Sequence, residues 1–244
     1  MSSLSGARVV VTRARHQAGE LTGLLSSRGA TVIELPLISV EEPEDAGRER
    51  DAVLQRIEDF DWVVVTSPNG AARVAPFLAA ATAADPSGAL PSIAVVGRAT
   101  EAVLGRAATL VAVPARAEAL VERFPRGDGK VLVVQGDLAD GTVTRGIAAL
   151  GWDVSAVTAY RTVRLSPDPE TTLEALGADV LFLASGSAAR AWHDAFGERT
   201  PPVVVCIGPS TAAEAGALGI EVTGTASHQS MDSMVECAED ILSR

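Results

Sequence analysis

Short apolar runs dominated by Val, Ile and Leu recur along the chain, and they constrain its fold more than any other feature. They lie at residues 9–11, 63–65, 93–96, 131–134, 180–183 and 203–205. A continuous apolar run, unlike an alternating one, is typical of a strand that is buried on both faces of a parallel sheet. Helix signals lie between the runs. The pattern therefore predicts an α/β fold, with parallel sheets flanked by helices and joined by right-handed crossovers.

Apolar spacing and end signals also place three helices, within 18–28, 143–150 and 231–242. Gly29 and Gly151 follow the first two helices as C-terminal stops, and Ser230 precedes the third as a predicted N-cap. The segment from Ala79 to Leu90 contains Ala, Asp and Pro and is predicted to be a loop.

The two halves of the sequence carry the same units in the same order. Residues 66–73 (TSPNGAAR) match 184–190 (ASGSAAR), and 97–100 (GRAT) match 208–211 (GPST). This repetition predicts two similar α/β domains, each with three strand–loop–helix units. Periodicity alone would put the domain boundary near the polar, Gly-rich segment 126–129.

Charge and cysteine content narrow the functional classes. The net charge of −11 argues against a nucleic-acid binder that relies on bulk positive charge. No apolar run approaches the roughly 18 residues of a membrane span, so no transmembrane helix is expected. No apolar segment precedes the first strand, so no signal peptide is expected either. Cys206 and Cys237 lie far apart, which suits a reduced, cytoplasmic enzyme. The charged segment 41–50 is predicted to be a solvated loop and the start of a helix.

Each apolar run is followed by small, hydroxylic or glycine residues. Ligands of parallel α/β sheets bind beyond the carboxyl ends of the strands, where helix N-termini present N–H groups to carboxylates or phosphates. Taken one loop at a time, helix capping explains these Ser, Thr and Asn residues better. Six such loops in two matched sets instead favour an anionic ligand held between two domains. The positions are Thr12, Arg13, Thr66, Ser67, Pro68, Asn69, Gly97, Arg98, Ala99, Thr100, Gln135, Gly136, Asp137, Ser185, Gly186, Ser187, Gly208, Pro209, Ser210 and Thr211.

Signatures of common enzymes are missing from the sequence. It has no GxGxxG motif and no GxSxG elbow, and residues 127–130 (GDGK) lack parts of a phosphate-binding loop. His16, His193 and His228 have no partner at triad or metal spacing, so no metal site is predicted. Tyr160 is the only tyrosine. A lone tyrosine is usually structural, but its place at an interdomain connection also makes it a candidate proton donor.

Two alternatives follow from the residues. One is a non-catalytic two-domain module that binds a small anion without turnover. The other is an α/β enzyme that acts on a phosphorylated small molecule. The second would need a concentrated Gly-rich phosphate loop and a metal-binding carboxylate pair. Asp137 and Asp140 are close in sequence, but nothing supports a metal there.

An ordered set of segments bears a resemblance to a known family. The segments are 10–13 (VVTR), 35–38 (LPLI), 66–70 (TSPNG), 95–100 (VVGRAT), 159–161 (AYR) and 207–211 (IGPST). Each is weak alone, but together and in this order they resemble the uroporphyrinogen-III synthase family over essentially the whole chain. Two segments depart from the family pattern. Gln135-Gly136 stands where members often carry Arg-Gly, and residues 184–187 read Ala-Ser-Gly-Ser rather than Thr-Ser-Pro-Ser.

The resemblance implies a different division of the chain from that given by periodicity. In this family the first strand–helix–strand unit packs with the C-terminal half, and two strands link the domains. The implied domains are 1–37 with 164–244, and 42–158. The implied linker strands are 38–41 and 159–163.

The resemblance also implies a cyclising lyase that uses no metal and no organic cofactor. Its substrate is the linear tetrapyrrole hydroxymethylbilane, and its product is uroporphyrinogen III, on the route to haem and cobalamin. Water is lost, the last pyrrole ring is inverted and the macrocycle closes. The implied partners are this substrate and the preceding enzyme that makes the unstable bilane. No nucleic acid or membrane partner is expected, and a monomer is the default.

The family's residues carry over to particular positions here. Tyr160 is the implied general acid that assists departure of hydroxide. The loops form a distributed surface for the acetate and propionate groups of the substrate, so single Ala substitutions should each have small effects. The implied substrate-binding residues are Arg13, Thr66, Ser67, Asn69, Gly97, Thr100, Gly136, Ser185, Gly186, Ser187, Gly208, Pro209, Ser210 and Thr211.

Overall fold

A computed structural model describes residues 2–12, 15–84 and 90–244 of the chain. They form two compact units. Unit 1 comprises Met1–Ser39 and Val163–Arg244, and unit 2 comprises Val40–Thr162. Both units are α/β, as the apolar runs predict. No helix in the described ranges is both long enough and apolar enough to cross a membrane.

The elements follow one another along the chain in this order: β1 (Arg8–Val11), α1 (Arg15–Ser27), β2 (Thr31–Glu34), β3 (Ile38–Glu41), α2 (Arg48–Leu54), a 3-10 helix (Ile57–Asp59), β4 (Trp62–Val65), α3 (Pro68–Ala84), β5 (Ser92–Val96), α4 (Arg98–Leu104), β6 (Leu110–Ala112), α5 (Ala117–Arg123), β7 (Lys130–Gly136), α6 (Thr142–Ala148), β8 (Asp153–Arg164), α7 (Pro169–Leu176), β9 (Val180–Leu183), α8 (Gly186–Phe196), β10 (Val203–Cys206), α9 (Pro209–Ala217), β11 (Gly224–Thr225) and α10 (Met231–Leu242).

Unit 1 is built on a parallel sheet with the strand order β11-β10-β9-β1-β2. Alternate residues of its strands enter different clusters on the two faces. Val9 and Val11 pack with Leu21 of α1, whereas Val10 packs with Trp192 of α8. Because both faces are covered, consecutive residues within β1, β9 and β10 are apolar, and this explains the uninterrupted runs in the sequence.

Unit 2 is built on a sheet with the order β3-β8-β7-β4-β5-β6, in which the pairs from β8 to β6 are parallel. Its strands are also covered on both faces. Val65 packs in one cluster with Leu78 of α3, and Val64 packs in another with Leu120 of α5. The six apolar runs thus all become strands, three in each unit.

The boundary that periodicity alone places at 126–129 is wrong, because that segment lies inside unit 2. The reason is strand pairing: β1, near the start of the chain, lies between β2 and β9. The N-terminal strand–helix–strand unit therefore belongs to the same compact unit as the C-terminal half. The chain passes between the two units within β3 and within β8.

The predicted helix ends agree with the structure, but one predicted loop does not. Gly29 follows α1 with a φ of 81°, and the Ser230 side chain accepts a hydrogen bond from the Ser233 N–H at the start of α10. The loop predicted from Ala79 is wrong as far as Ala84, because α3 continues through these residues. Alanine is the strongest helix former, which favours this extension. Residues 85–89 lie outside the described part of the chain.

Candidate functional site

The two sheets each contain a point where the strand order reverses. In unit 2, β4 and β7 are neighbours, but the chain continues from β4 towards one edge of the sheet and from β7 towards the other. The helices that follow two such strands lie on opposite faces, which opens a crevice beyond their carboxyl ends. Ser67 follows β4, and Gly136 ends β7. Two of the predicted site residues therefore lie at the switch point of unit 2.

Tyr160 reaches this switch point from β8. Its hydroxyl donates a hydrogen bond to Ser67 Oγ at 3.0 Å. Its ring lies against Gly136, where an added Cβ would come within 2.8 Å of the ring carbon Cζ. Ser67 Oγ also accepts a hydrogen bond from the Gly70 N–H at 3.1 Å, at the start of α3. Tyr160 and Ser67 are both half-buried.

The neighbouring residues of this loop are held by backbone contacts. The Thr66 N–H donates to the Val134 carbonyl at 3.2 Å, which ties the end of β4 to β7. The Asn69 carbonyl accepts a hydrogen bond from Arg73 Nη1 at 3.1 Å. The Arg73 guanidinium carbon lies 5.6 Å from the centre of the Tyr160 ring, within the range of a cation–π contact.

A set of charged residues around Tyr160 was not singled out by the sequence. Glu42 pairs with both Arg73 and Arg50, and Arg50 is only 8% exposed. Burial lowers the pKa of Arg50, but the hydrogen bonds to Asp51 and Glu42 together raise it by more than burial lowers it. The net shift of the pKa is upward, and the side chain stays a cation. The prediction of a solvated segment at 41–50 is therefore wrong at Arg50. No local pattern marks a buried arginine within a charged run.

Two further predicted residues of unit 2 lie after β5. Gly97 has a φ of 86°, and an added Cβ would come within 2.7 Å of Ala115 Cβ, so glycine is required by both conformation and space. Thr100 is 1% exposed and its hydroxyl donates to the Val96 carbonyl at 2.9 Å. Thr100 can therefore offer a ligand its backbone more readily than its side chain.

The switch point of unit 1 lies between β1 and β9. Thr12 follows β1 and is buried, with its hydroxyl donating to the Phe182 carbonyl at 3.2 Å. Arg13 lies outside the described residues. Ser185 Oγ, after β9, accepts from the Ala188 N–H at 3.1 Å and lies 2.9 Å from Ser187 Oγ. Both capping and a half-buried pair of hydroxyls are thus present in this loop.

The loop after β10 also meets the start of a helix. Gly208 is the N-cap of α9 and Pro209 is its first residue. Ser210 is exposed, whereas Thr211 is 3% exposed. Gly186 opens α8, where an added Cβ would make only ordinary contacts, the nearest at 3.4 Å to Glu214 Cγ. In unit 1, therefore, the predicted residues after β9 and β10 lie at the carboxyl ends of two paired strands.

These two edges offer hydroxyl groups and helix N-termini as hydrogen-bond donors, which suits carboxylate groups. Within the described ranges, no group of three or more His, Cys, Asp or Glu side chains could hold a metal ion. Arg98 pairs with Glu101 at 2.7 Å. The pKa of Glu101 is lowered by the Ala108 N–H and by Arg98.

The chain is similar to a family described as Uroporphyrinogen-III synthase HemD, whose model matches residues 19–236. It is 32% identical over 243 residues to the chloroplastic uroporphyrinogen-III synthase of Oryza sativa subsp. japonica, covering 93% of this chain and 78% of that protein. It is also 32% identical over 193 residues to the uroporphyrinogen-III synthase of Synechococcus elongatus, covering 77% and 72% of the two proteins.

Solved structures share the fold. A mutant uroporphyrinogen III synthase from the extremely thermophilic bacterium Thermus thermophilus matches 95% of this chain and 96% of its own, with a TM-score of 0.69 at 20% identity. The uroporphyrinogen-III synthetase of Helicobacter pylori matches 97% and 99%, with a TM-score of 0.54 at 14% identity. The family match spans most of the chain, and two relatives lie above 30% identity. The chain therefore belongs to the uroporphyrinogen-III synthase family, as its ordered motifs predict.

Proposed function

We propose that this chain converts hydroxymethylbilane to uroporphyrinogen III, with Tyr160 as the general acid. The chain is a uroporphyrinogen-III synthase, a cyclising lyase of tetrapyrrole biosynthesis. The observation that carries the role of Tyr160 is its place at the switch point of unit 2. There its hydroxyl, hydrogen-bonded to Ser67, is presented beyond the carboxyl ends of β4 and β7.

In the proposed reaction the Tyr160 hydroxyl donates its proton to the leaving hydroxyl of the bilane, and water departs. The carbon that is left is a cation stabilised by its own pyrrole. This carbon attacks the substituted position of the last ring to give a spiro intermediate, which fragments and recloses with that ring inverted. The proton released on closure restores the Tyr160 phenol. Because the cation is stabilised by its own pyrrole, the proton transfer from Tyr160 accelerates the reaction by only about 10²-fold, at the low end for general acid catalysis.

The other task of the enzyme is to select one conformer of the bound bilane, because the free bilane closes by itself to the uninverted isomer. Each pyrrole carries two carboxylates, and a chain with a net charge of −11 must bind them with local donors. We assign this role to backbone N–H groups and hydroxyls of the loops, with Arg13 as an added cation. The assigned residues are Arg13, Thr66, Ser67, Asn69, Gly97, Thr100, Gly136, Ser185, Gly186, Ser187, Gly208, Pro209, Ser210 and Thr211.

The same proposal covers the setting of the enzyme. It acts in the cytoplasm as a monomer, without metal or organic cofactor, on the route to haem and cobalamin. It receives the bilane from the enzyme that makes it. For the cytoplasmic location, the bacterial relative from Synechococcus elongatus is in favour, whereas the rice relative is described as chloroplastic. The proposed domains are 1–37 with 164–244, and 42–158, joined by the strands 38–41 and 159–163.

The test is a coupled assay with freshly generated hydroxymethylbilane, followed by oxidation and chromatographic separation of the isomers. Wild-type protein should give mostly isomer III. Tyr160→Phe should lower kcat by about 10²-fold with the isomer still mostly III. Isomer I alone, at the uncatalysed rate, would instead support the non-catalytic binding module. Isomer III with an unchanged kcat in Tyr160→Phe would remove the acid role and keep the synthase activity.

A separate set of variants tests the distributed surface. Ser187→Ala and Thr66→Ala each remove one hydroxyl out of many, so each should lower kcat/KM less than tenfold. Initial rates at several bilane concentrations measure this. A hundredfold loss from a single hydroxyl, such as that of Ser67, would show that binding is concentrated rather than distributed.

A further inference from the structure

Glu42, which follows β3 in unit 2, holds two arginines with one carboxylate. Its Oε1 lies 3.0 Å from Arg73 Nη2 and accepts a hydrogen bond from Arg73 Nε at 3.1 Å. Its Oε2 accepts a hydrogen bond from Arg50 Nη1 at 2.5 Å. Both oxygens are therefore occupied by partners that are 8 and 31 residues away in the sequence.

The first of these arginines lies over the Tyr160 ring. The Arg73 guanidinium carbon is 5.6 Å from the ring centre, and its Nη1 also donates to the Asn69 carbonyl. A cation over the face of an aromatic ring is attracted by the ring quadrupole and restricts where the ring can move. The side chain of Arg73 is 20% exposed, so this contact is largely shielded from solvent.

The second arginine holds the backbone next to Tyr160. Arg50 Nη1 donates to the Ala159 carbonyl at 2.8 Å, and its Nε donates to Asp51 Oδ1 at 2.7 Å. Ala159 immediately precedes Tyr160 in β8. Gly47 makes room for this arrangement, because an added Cβ there would collide with the Arg50 guanidinium. The ring and the backbone of Tyr160 are thus held by two cations that share one carboxylate.

We infer that Glu42 is a positioning residue for Tyr160, acting through Arg73 on the ring and through Arg50 on the strand. This inference rests on the proposed role of Tyr160. Without the carboxylate, the two guanidinium groups lose their shared counter-charge and repel each other, and Arg73 keeps its bond to the Asn69 carbonyl but loses the ion pair that fixes it over the ring. Glu42 is 47% exposed, and an exposed ion pair adds little to stability. We therefore expect Glu42 to affect the orientation of the Tyr160 hydroxyl more than the stability of the fold.

The test is a double-mutant cycle with Glu42→Gln and Tyr160→Phe in the full chain, assayed with hydroxymethylbilane. Glu44→Gln is the matched control, because it removes the same charge two residues away at an exposed position. Glu42→Gln should lower kcat about tenfold and leave KM within twofold, since misaligning a reacting group lowers the rate more than binding. Added to Tyr160→Phe, it should change kcat less than twofold. Glu44→Gln should behave as wild type.

Three outcomes overturn the inference, and they separate it from the proposed acid. If Tyr160→Phe lowers kcat but Glu42→Gln keeps the wild-type kcat, the inference is overturned and the acid role of Tyr160 stands. An equal loss from Glu42→Gln in both backgrounds means that Glu42 acts elsewhere. A Tyr160→Phe at wild-type kcat overturns the acid role and the inference together. Arg73→Gln gives an independent check if Glu42→Gln melts early, because it removes the cation over the ring and should show the same non-additivity.

Discussion

Ser67 has two hydrogen-bonding roles in unit 2, which are easily mistaken for alternatives. Its Oγ accepts from the Gly70 N–H at the start of α3 and from the Tyr160 hydroxyl. A hydroxyl oxygen has two lone pairs and one proton, so after accepting both bonds it can still donate its own proton. Helix capping therefore does not compete with a role in the site, and the same applies to Ser185, which caps α8 beside Ser187.

Gly136→Ala is expected to slow the enzyme by displacing Tyr160. The new Cβ would lie 2.8 Å from Cζ and 2.9 Å from the hydroxyl oxygen of that ring, so the ring must shift from the position in which it bonds to Ser67. We expect kcat to fall at least tenfold, approaching the value of Tyr160→Phe.

The control for this substitution is Gly216→Ala in α9, where an added Cβ meets nothing within 4 Å. It should keep full activity and stabilise the protein by about 0.5–1 kcal/mol, because alanine is a better helix former. Steady-state kinetics and urea unfolding measure the two effects. Full activity in Gly136→Ala would show that the ring position does not matter.

The two thiols should be unreactive in the folded protein. Burial raises the pKa of Cys206 to about 11, with a further contribution from Cys237, and burial also raises the pKa of Cys237. Since the thiolate is the reactive form, alkylation by iodoacetamide near neutral pH should be slow until the chain unfolds. Mass spectrometry with and without urea measures this. Rapid labelling of Cys206 in the folded state would contradict the burial.

The sequence could indicate some residues of this site and not others. Tyr160 stands out because it is unique and lies in a family motif, and the loop residues stand out because they follow apolar runs. Glu42 and Arg73 carry no such mark. Their pairing joins residues 31 positions apart, and the Arg50 contact to Ala159 joins residues 109 apart. Charge pairs at such separations depend on how the strands pair, which the one-dimensional pattern does not contain.

At the scale of the element, burial on both faces decides which strands can be predicted. The six continuous apolar runs all form strands whose two faces are covered by helices. The strands that the runs miss are β2, β3, β6, β8 and β11. Each of these is partly exposed or very short, and β8 alternates between exposed and buried positions in part of its length. Such strands are too short or too polar to stand out as long apolar runs, and the sheet around them fixes their identity.

The N-cap of α7 should make stability depend on pH. Asp168 Oδ1 accepts from the Thr171 N–H at 2.9 Å, and this bond together with that of the Thr171 hydroxyl lowers the pKa of Asp168 from 3.8. A lowered pKa in the folded state stabilises the fold above the unfolded value, and the stabilisation is lost as the pH falls through the folded pKa.

Asp168→Ala should therefore lower the urea midpoint at neutral pH, and its difference from wild type should shrink below about pH 4. Asp168→Asn retains a capping oxygen without a titrating charge, so the difference in stability between Asp168→Asn and Asp168→Ala should not change with pH. A difference between Asp168→Ala and wild type that is the same at pH 7 and pH 3 would rule out the carboxylate as the source.

At the scale of the whole molecule, each unit contains its own pair of apolar clusters. Leu132→Ala, at a fully buried position of β7, should destabilise unit 2 by about 2–5 kcal/mol. We expect hydrogen exchange to quicken in β4 and β7 while the amides of β9 keep their protection. Leu181→Ala in β9 is the matched substitution and should reverse the pattern. Equal loss of protection in both units after either change would show that they unfold together.

The insertion of unit 2 into unit 1 has a consequence for synthesis on the ribosome. β1 leaves the ribosome first, but its neighbour β9 is made much later, since Val9 pairs with Val180. Unit 2 is continuous in sequence and emerges whole in that interval. β1 is thus made before unit 2 but gains its neighbour β9 only after unit 2, so this valine-rich strand must wait with one edge unpaired. Exposed strand edges favour aggregation, so this interval is when the growing chain most needs chaperone protection.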